Sequence, residues 1–280
     1  MIRDITIGQY YYGDSPIHRM DPRTKLIITF LYIISLFIYT NKYIYIGAVL
    51  FLALVISLSK VPFKYIVRGL KGVVILILFT VIFNLFLTGT TPLLTIGALV
   101  ITKEGFRKAC YMAVRLILLI IGSSIMTLTT TPNNLTDGLE SVLKPLKLIK
   151  VPVHEISMMM SIALRFIPIL IEETDKIMKA QLARGADFET GNIIKKTKSL
   201  VPVLVPLFIS SFRRANDLAM AMESRCYRGD QGRTKMKPLK YNGLDYIAYV
   251  VTVGYMGIII MSGKNGAYLD AALHMPWLMG

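Results

Sequence analysis

The stretch LIITFLYIISLFIYTNKYIYIGAVLFLALVISLS, Leu26 to Ser59, decides the fold class. It carries a single charge, Lys42, between two apolar runs, Leu26–Thr40 and Tyr43–Ser59. Each run is slightly short against the roughly 20 residues that cross a bilayer core, and flanking Tyr, Thr and Ser extend it into the interface. The pair therefore reads as two membrane helices joined by a tight turn, with Tyr39, Tyr43 and Tyr45 as an interfacial belt. Three more apolar runs follow, at Gly72–Leu87, Tyr111–Thr130 and Tyr246–Met261, so five crossings are expected.

Composition agrees with a membrane protein. Hydrophobic residues make up 54% of the 280, and the mean hydropathy of +0.56 lies above the range of water-soluble enzymes. Charged residues are scarce at 18%, yet Lys and Arg outnumber Asp and Glu by 32 to 17. The resulting charge of +15 does not point to nucleic acid, because long uncharged stretches separate the cations and aromatics do not interleave them. Cys110 and Cys226 form no CxxC pair, so neither zinc nor redox chemistry is indicated. His18, His154 and His274 supply no HExxH or other paired spacing, and no catalytic or metal site is expected.

Loops that stay in the cytoplasm collect Lys and Arg, so the basic residues orient the chain. With the N-terminus inside, 26 of them fall on the inner side, including Lys60, Lys64, Arg68 and Lys71 and eighteen between Lys144 and Lys240; six fall elsewhere. The first residues mix Asp, Arg, Lys and Tyr before any apolar run, unlike a cleavable signal, and read as a mature cytoplasmic N-terminus. Trp277 is expected to rest on the membrane surface.

Residues 128–240 are too long for a loop and patterned as helices. A short helix is expected after Thr131-Pro132-Asn133-Asn134, capped there and ended near Lys144-Pro145. A long one runs from Val153 to Arg184 with Gly185 as its stop, and a second from Ser199 to Tyr227, with Pro202 and Pro206 in its first turns. Both begin apolar and end basic. Their ends are alike in detail, Ala183-Arg184-Gly185 in one and Ser224-Arg225-Cys226 in the other. The expected layout is a membrane domain over 1–130, a helical domain over 131–240, and a last membrane helix with its tail over 241–280.

These ends resemble the paired Ala-Arg-Gly motifs of the EcfT family, the transmembrane component of energy-coupling factor transporters, related to the CbiQ-type cobalt permeases. The first motif is intact; the second keeps the Arg and departs on either side. Gly8-Gln9-Tyr10, the run from Ser15 to Lys25, and Ala221-Met222-Glu223 with Arg233-Thr234-Lys235 look like further signatures of the family. The resemblance implies an all-α polytopic membrane protein of about five transmembrane helices with a cytoplasmic coupling domain of crossed long helices. It implies a non-catalytic subunit of an ABC importer for vitamins or metal ions in the bacterial cell membrane. Arg184 and Arg225 would lie on short coupling helices, each seated in one of two ABC ATPase subunits of the EcfA and EcfA′ kind. Those ATPases would bind ATP and Mg, and this chain no cofactor.

A substrate-binding membrane S component would rest on the long helices, where Met158, Met159, Met160, Met178, Met220 and Met222 offer flexible, repackable surface. Ordinary core packing is the plain reading of those methionines, as a cation at its own helix C-terminus is of the two arginines. The nearest approach to a phosphate loop, Gly191 to Thr197, lacks the second Gly before Lys, so ATP would be hydrolysed elsewhere. Arg115, in an apolar run, is expected to snorkel outward, Arg165 with Glu172, Glu173 and Asp175 to face water rather than to partner one another or the platform for the S component, and Asn84 to bond a neighbouring helix. The alternative readings are a solute-binding permease subunit of another transporter class and a membrane-embedded hydrolase, which would need charges or a nucleophile at mid-membrane.

Overall fold

Helices occupy every apolar run. The computed structural model describes residues 10–38, 42–87, 92–96, 99–188, 193–229 and 238–272. In chain order come α1 (Pro22–Ile38), α2 (Lys42–Ser59), α3 (Phe63–Lys71), α4 (Val74–Leu87), the antiparallel hairpin of β1 (Pro92–Ile96) and β2 (Leu99–Thr102), α5 (Lys103–Thr129), α6 (Pro132–Leu143), a 3-10 turn (Lys144–Ile149), α7 (Val153–Ala183), α8 (Ile193–Ser224) and α9 (Gly243–Ala272). The fold is that of an all-α polytopic membrane protein, and the small hairpin, which the sequence reading lacked, is its exception. Large apolar side chains such as Ile75 (80% exposed), Phe79 and Val250 face outward, as they must where the solvent is lipid.

Among the described residues, three helices are long and apolar enough to span a membrane: Glu104–Thr129, Val153–Ala183 and Gly243–Ser262. The pair α3 and α4, bent by 59° at Gly72-Val73, makes a fourth if taken as one span. The expected first two spans are shorter, 17 residues in α1 and 18 in α2, about 25 to 27 Å at 1.5 Å per residue. Helix α7, expected in the helical coupling domain, passes the same length test over Val153–Ala183.

The chain divides into two compact units, Leu143–Pro238 and Gly8–Val142 with Leu239–Gly280. In the second unit α5 is the axis against which α1, α2, α3 and α4 pack, with α9 on α1 and α2. Lipid tails are as apolar as Leu, so this bundle relies on close approach and on polar contacts between helices. Gly122 of α5 lets the Tyr32 ring of α1 come in so near that a Cβ there would meet Cε1 at 2.7 Å. Ser35 and Tyr255 join α1 to α9 by a 2.9 Å hydroxyl bond. Leu36, Ile44, Ala48, Ile66 and Ile259 fill the space between, each at most 1% exposed.

Tyr45 belongs to this core rather than to an interfacial belt: it is buried and stacks on Tyr111 at 5.5 Å. Tyr39 and the side chain of Tyr43 lie outside the described residues, as do His274 and Trp277. Arg115 does not snorkel freely. Its Nε donates to the Tyr45 hydroxyl at 3.1 Å and its guanidinium lies 5.4 Å from the Phe37 ring centre, a polar and a π contact that hold the cation between helices. Asn84 donates to the Thr80 carbonyl of its own helix, not to a neighbour.

The signature segment ahead of α1 is a clasp. Asp245, fully buried at the start of α9, accepts from the backbone N–H of Asp21 through one oxygen and from that of Asn242 through the other, at 2.9 and 2.7 Å. One carboxylate thus caps the first residues of two helices, whose leading N–H groups have no partner of their own. Asp21 in turn accepts from the N–H of Arg23, Arg23 donates to the Leu239 carbonyl, and Lys25 donates to the Thr129 carbonyl that ends α5. Gly138 of α6 lies against Pro22, where a Cβ would meet the ring at 2.9 Å.

Candidate functional site at the ends of the two long helices

The other unit consists of the 3-10 turn, α7 and α8, and its geometry begins with the helix register. The second long helix starts at Ile193, earlier than expected, so Pro202 and Pro206 lie inside it rather than in its first turns. A proline at 206 has no N–H for the carbonyl four residues back, at Pro202. That carbonyl accepts instead from Gln181 Nε2 of α7, at 3.3 Å. Tertiary structure supplies the bond that Pro206 removes. A second link joins the helices where Arg214 donates to Glu173 at 2.8 Å. Glu173 was expected to face water.

The two contacts fix direction. Position 181 lies by 202 and position 173 by 214, so α7 and α8 run antiparallel. The end of α7 therefore sits near the start of α8, and Arg225 just past the end of α8, 23 residues beyond Pro202, lies about 35 Å away along the helix.

Both ends close in the same way. After α7, the N–H of Gly185 donates to the Leu182 carbonyl at 2.9 Å and that of Ala186 to Gln181 at 3.0 Å. After α8, the N–H of Cys226 donates to Glu223 at 2.8 Å and that of Tyr227 to Met222 at 3.1 Å. This is the Schellman arrangement, which returns the last carbonyls of a helix to hydrogen bonds and requires a left-handed residue just past the end. Gly185 supplies it at φ +83 and Cys226 at φ +55. Superposing the two motifs places Ala183 on Ser224, Arg184 on Arg225 and Gly185 on Cys226. Ser224 Oγ adds a bond to the Ala221 carbonyl. The second motif departs in residue type and keeps the backbone. Both arginines are exposed closing residues of long helices, not members of separate short helices, since nothing in either sequence breaks the helix before the left-handed turn.

The methionines divide. Met159, Met160 and Met220 are exposed, at 58%, 40% and 61%, while Met158, Met178 and Met222 are half-buried. A longer exposed row stands on α8, where Leu200, Leu204, Phe208 and Phe212 recur every fourth residue and Phe208 lies 4.7 Å from Phe212. The sequence reading passed over this row, though its i, i+4 spacing was there to be counted. Of the phosphate-loop candidate, residues 193–197 open α8 and Gly191 lies outside the described residues.

Outward apolar surfaces on a many-helix bundle, with a helix pair carrying matched cationic ends, define a multi-pass membrane protein. A family model described as CbiQ, cobalt transport protein, matches residues 13–236. Proteins named energy-coupling factor transporter transmembrane protein EcfT are similar over nearly the whole chain. The one from Clostridium kluyveri is 57% identical over 94% of this chain and 98% of its own length, and that from Ruminiclostridium cellulolyticum 52% identical over 93% and 98%. The one from Bacillus subtilis is 46% identical over 88% and 93%. The chain belongs to the CbiQ and EcfT family of transporter membrane components.

Proposed function

We propose that this chain is the non-catalytic coupling subunit of an energy-coupling factor importer. It transmits the movement of two ABC ATPases to a substrate-binding membrane subunit that takes up a vitamin or a metal ion. The N-terminus and the helix pair face the cytoplasm in this reading, which the excess of Lys and Arg on those segments supports. ATP and Mg belong to the ATPases. The observation that carries the reading is the pair of identical Schellman ends, each presenting one exposed Arg, spaced widely enough for two separate protein partners. Arg suits such a seat, because its rigid fork of donors holds carboxylates or helix-end carbonyls, while the small neighbours at 183, 185, 224 and 226 let backbones approach.

Antiparallel helices tied by Gln181 and by the Glu173–Arg214 pair form a stiff lever, and the motion they pass on is a rigid-body one. The exposed methionines and the α8 row from Leu200 to Phe212 offer the surface for the substrate subunit. Arg184→Ala and Arg225→Ala should each abolish uptake in cells while the protein remains in the membrane. Undiminished transport by the double variant would refute the assignment.

A further inference from the structure

The helix α3 divides into three faces. At about 100° per residue, Tyr65, Ile66 and Gly69 share the first face. That face packs on α5: Ile66 is fully buried, and a Cβ on Gly69 would meet Ser124 Oγ at 2.8 Å. Phe63 and Val67, exposed at 64% and 44%, share the second face with Leu70. Lys64, Arg68 and Lys71 make up the third, all exposed, and the Arg68 guanidinium is propped 5.6 Å from the Tyr65 ring centre. No Asp or Glu occurs anywhere between Asp21 and Glu104, so no carboxylate on α1 to α4 balances these cations. Asp14, the carboxylate whose charge is felt at Lys60, is already held by Arg19 at 2.7 Å.

The helix leaves α4 at 59°, and the side chains of Ile75 and Phe79 that follow on α4 are large, apolar and exposed, at 80% and 64%. With α4, 14 mostly apolar residues or about 21 Å long, as the part that enters the bilayer, a helix inclined to it by 59° runs toward the membrane plane. With protein on one face, exposed apolar groups on the next and three cations on the last, it matches the layering of a bilayer surface from acyl chains to headgroups.

We propose that α3 is an interfacial helix that binds anionic phospholipid, with Lys64, Arg68 and Lys71 on the headgroup phosphates and Phe63 and Val67 among the first acyl carbons. The partner is argued from charge: a surface of anionic headgroups attracts each nearby Lys or Arg strongly enough to change occupancy by about fivefold. Phosphatidylcholine, with no net charge, gives no such gain.

The test uses the full chain. Purified protein is equilibrated with equimolar phosphatidylglycerol and phosphatidylcholine, and retained lipid is counted by native mass spectrometry. The wild type should keep phosphatidylglycerol in excess. Lys64→Gln, Arg68→Gln and Lys71→Gln should each lower that excess, by about fivefold per cation removed at most, whereas Lys64→Arg with Lys71→Arg should keep it. In a second arm Val67→Trp is placed in a Trp277→Phe background, which leaves one indole as reporter. In phosphatidylglycerol vesicles its emission should be quenched by lipids brominated near the headgroup and shielded from aqueous acrylamide. Unchanged lipid selectivity in the three Gln variants would overturn the proposal, as would an indole open to acrylamide. A face reserved for a protein partner would give those two results.

Discussion

The residue that separates the two arms of the helix pair is Cys226. It does at φ +55 what Gly185 does at φ +83, and a side chain in that region costs roughly 1 kcal/mol or more. Cys226→Gly should therefore relieve strain of about 1 kcal/mol without altering the bonds from 226 and 227 back to Glu223 and Met222, and the melting temperature of the purified chain should not fall. Gly185→Ala introduces the same strain into the other arm and should lower it. Should Cys226→Gly destabilise as much as Gly185→Ala, the Cys side chain would have to hold something the backbone alone does not.

At the other end of the chain, His18 is locked as a neutral ring. Its Nε2 donates to the Tyr11 carbonyl at 3.1 Å, and its Nδ1 accepts from Ser15 Oγ at 2.7 Å while that oxygen takes the His18 N–H. Burial holds its pKa below the usual value, against the raising effect of the Tyr11 carbonyl. A base that resists protonation only when docked favours docking in full above about pH 6.5, the ordinary value for a free His, and loses that contribution as the pH falls through the lowered one. Amide exchange at Tyr11, whose N–H is bound to the Leu128 carbonyl, should accordingly speed up below pH 6.5 relative to His18→Asn.

At the scale of elements, Gln181 and the two prolines of α8 make one device. Removing the amide in Gln181→Leu leaves the Pro202 carbonyl without the partner that replaces Pro206's absent N–H. A loss of about 0.5 kcal/mol is expected for an exposed bond, and it should vanish in a Pro206→Ala background, where the helix supplies its own N–H. A thermal-unfolding double-mutant cycle reads the coupling; additive losses would mean the two are unconnected. This device marks the boundary of what the chain's pattern discloses.

Apolar runs and stop signals are local, so α2, α6, the end of α7 at Arg184 and the last span were legible. The start of α8 was not, because proline's local cost argues for a helix beginning near Ser199, and the side chain that offsets part of that cost comes from α7. The same holds for Glu173, whose Arg214 partner is 41 residues away, and for Asp245, which reaches 224 residues back to Asp21. Ser224-Arg225-Cys226 was recognisable as a degraded copy of the first motif. That Cys226 would take a glycine's conformation was not, since nothing in a lone Cys signals positive φ.

Across the whole molecule, the antiparallel order of α7 and α8 separates the two arginines. Had the helices been parallel, Arg184 and Arg225 would lie side by side and one partner could cover both. Antiparallel order sends them to opposite ends, about 35 Å apart along α8, so a single globular domain reaches both only by spanning the full length of the pair. On the proposed function, each end then belongs to one ATPase, and the two losses should be selective. Copurification from membranes should show Arg184→Ala depleted of one ATPase and Arg225→Ala of the other, while both variants retain the substrate subunit bound along the exposed helix faces. Uptake, which needs both ATPases to close on ATP together, should be absent in either single variant and no lower in the double. If Arg184→Ala and Arg225→Ala shed the same ATPase to the same extent, the ends would share one seat, and the lever would have to be redrawn as a single contact with one moving partner.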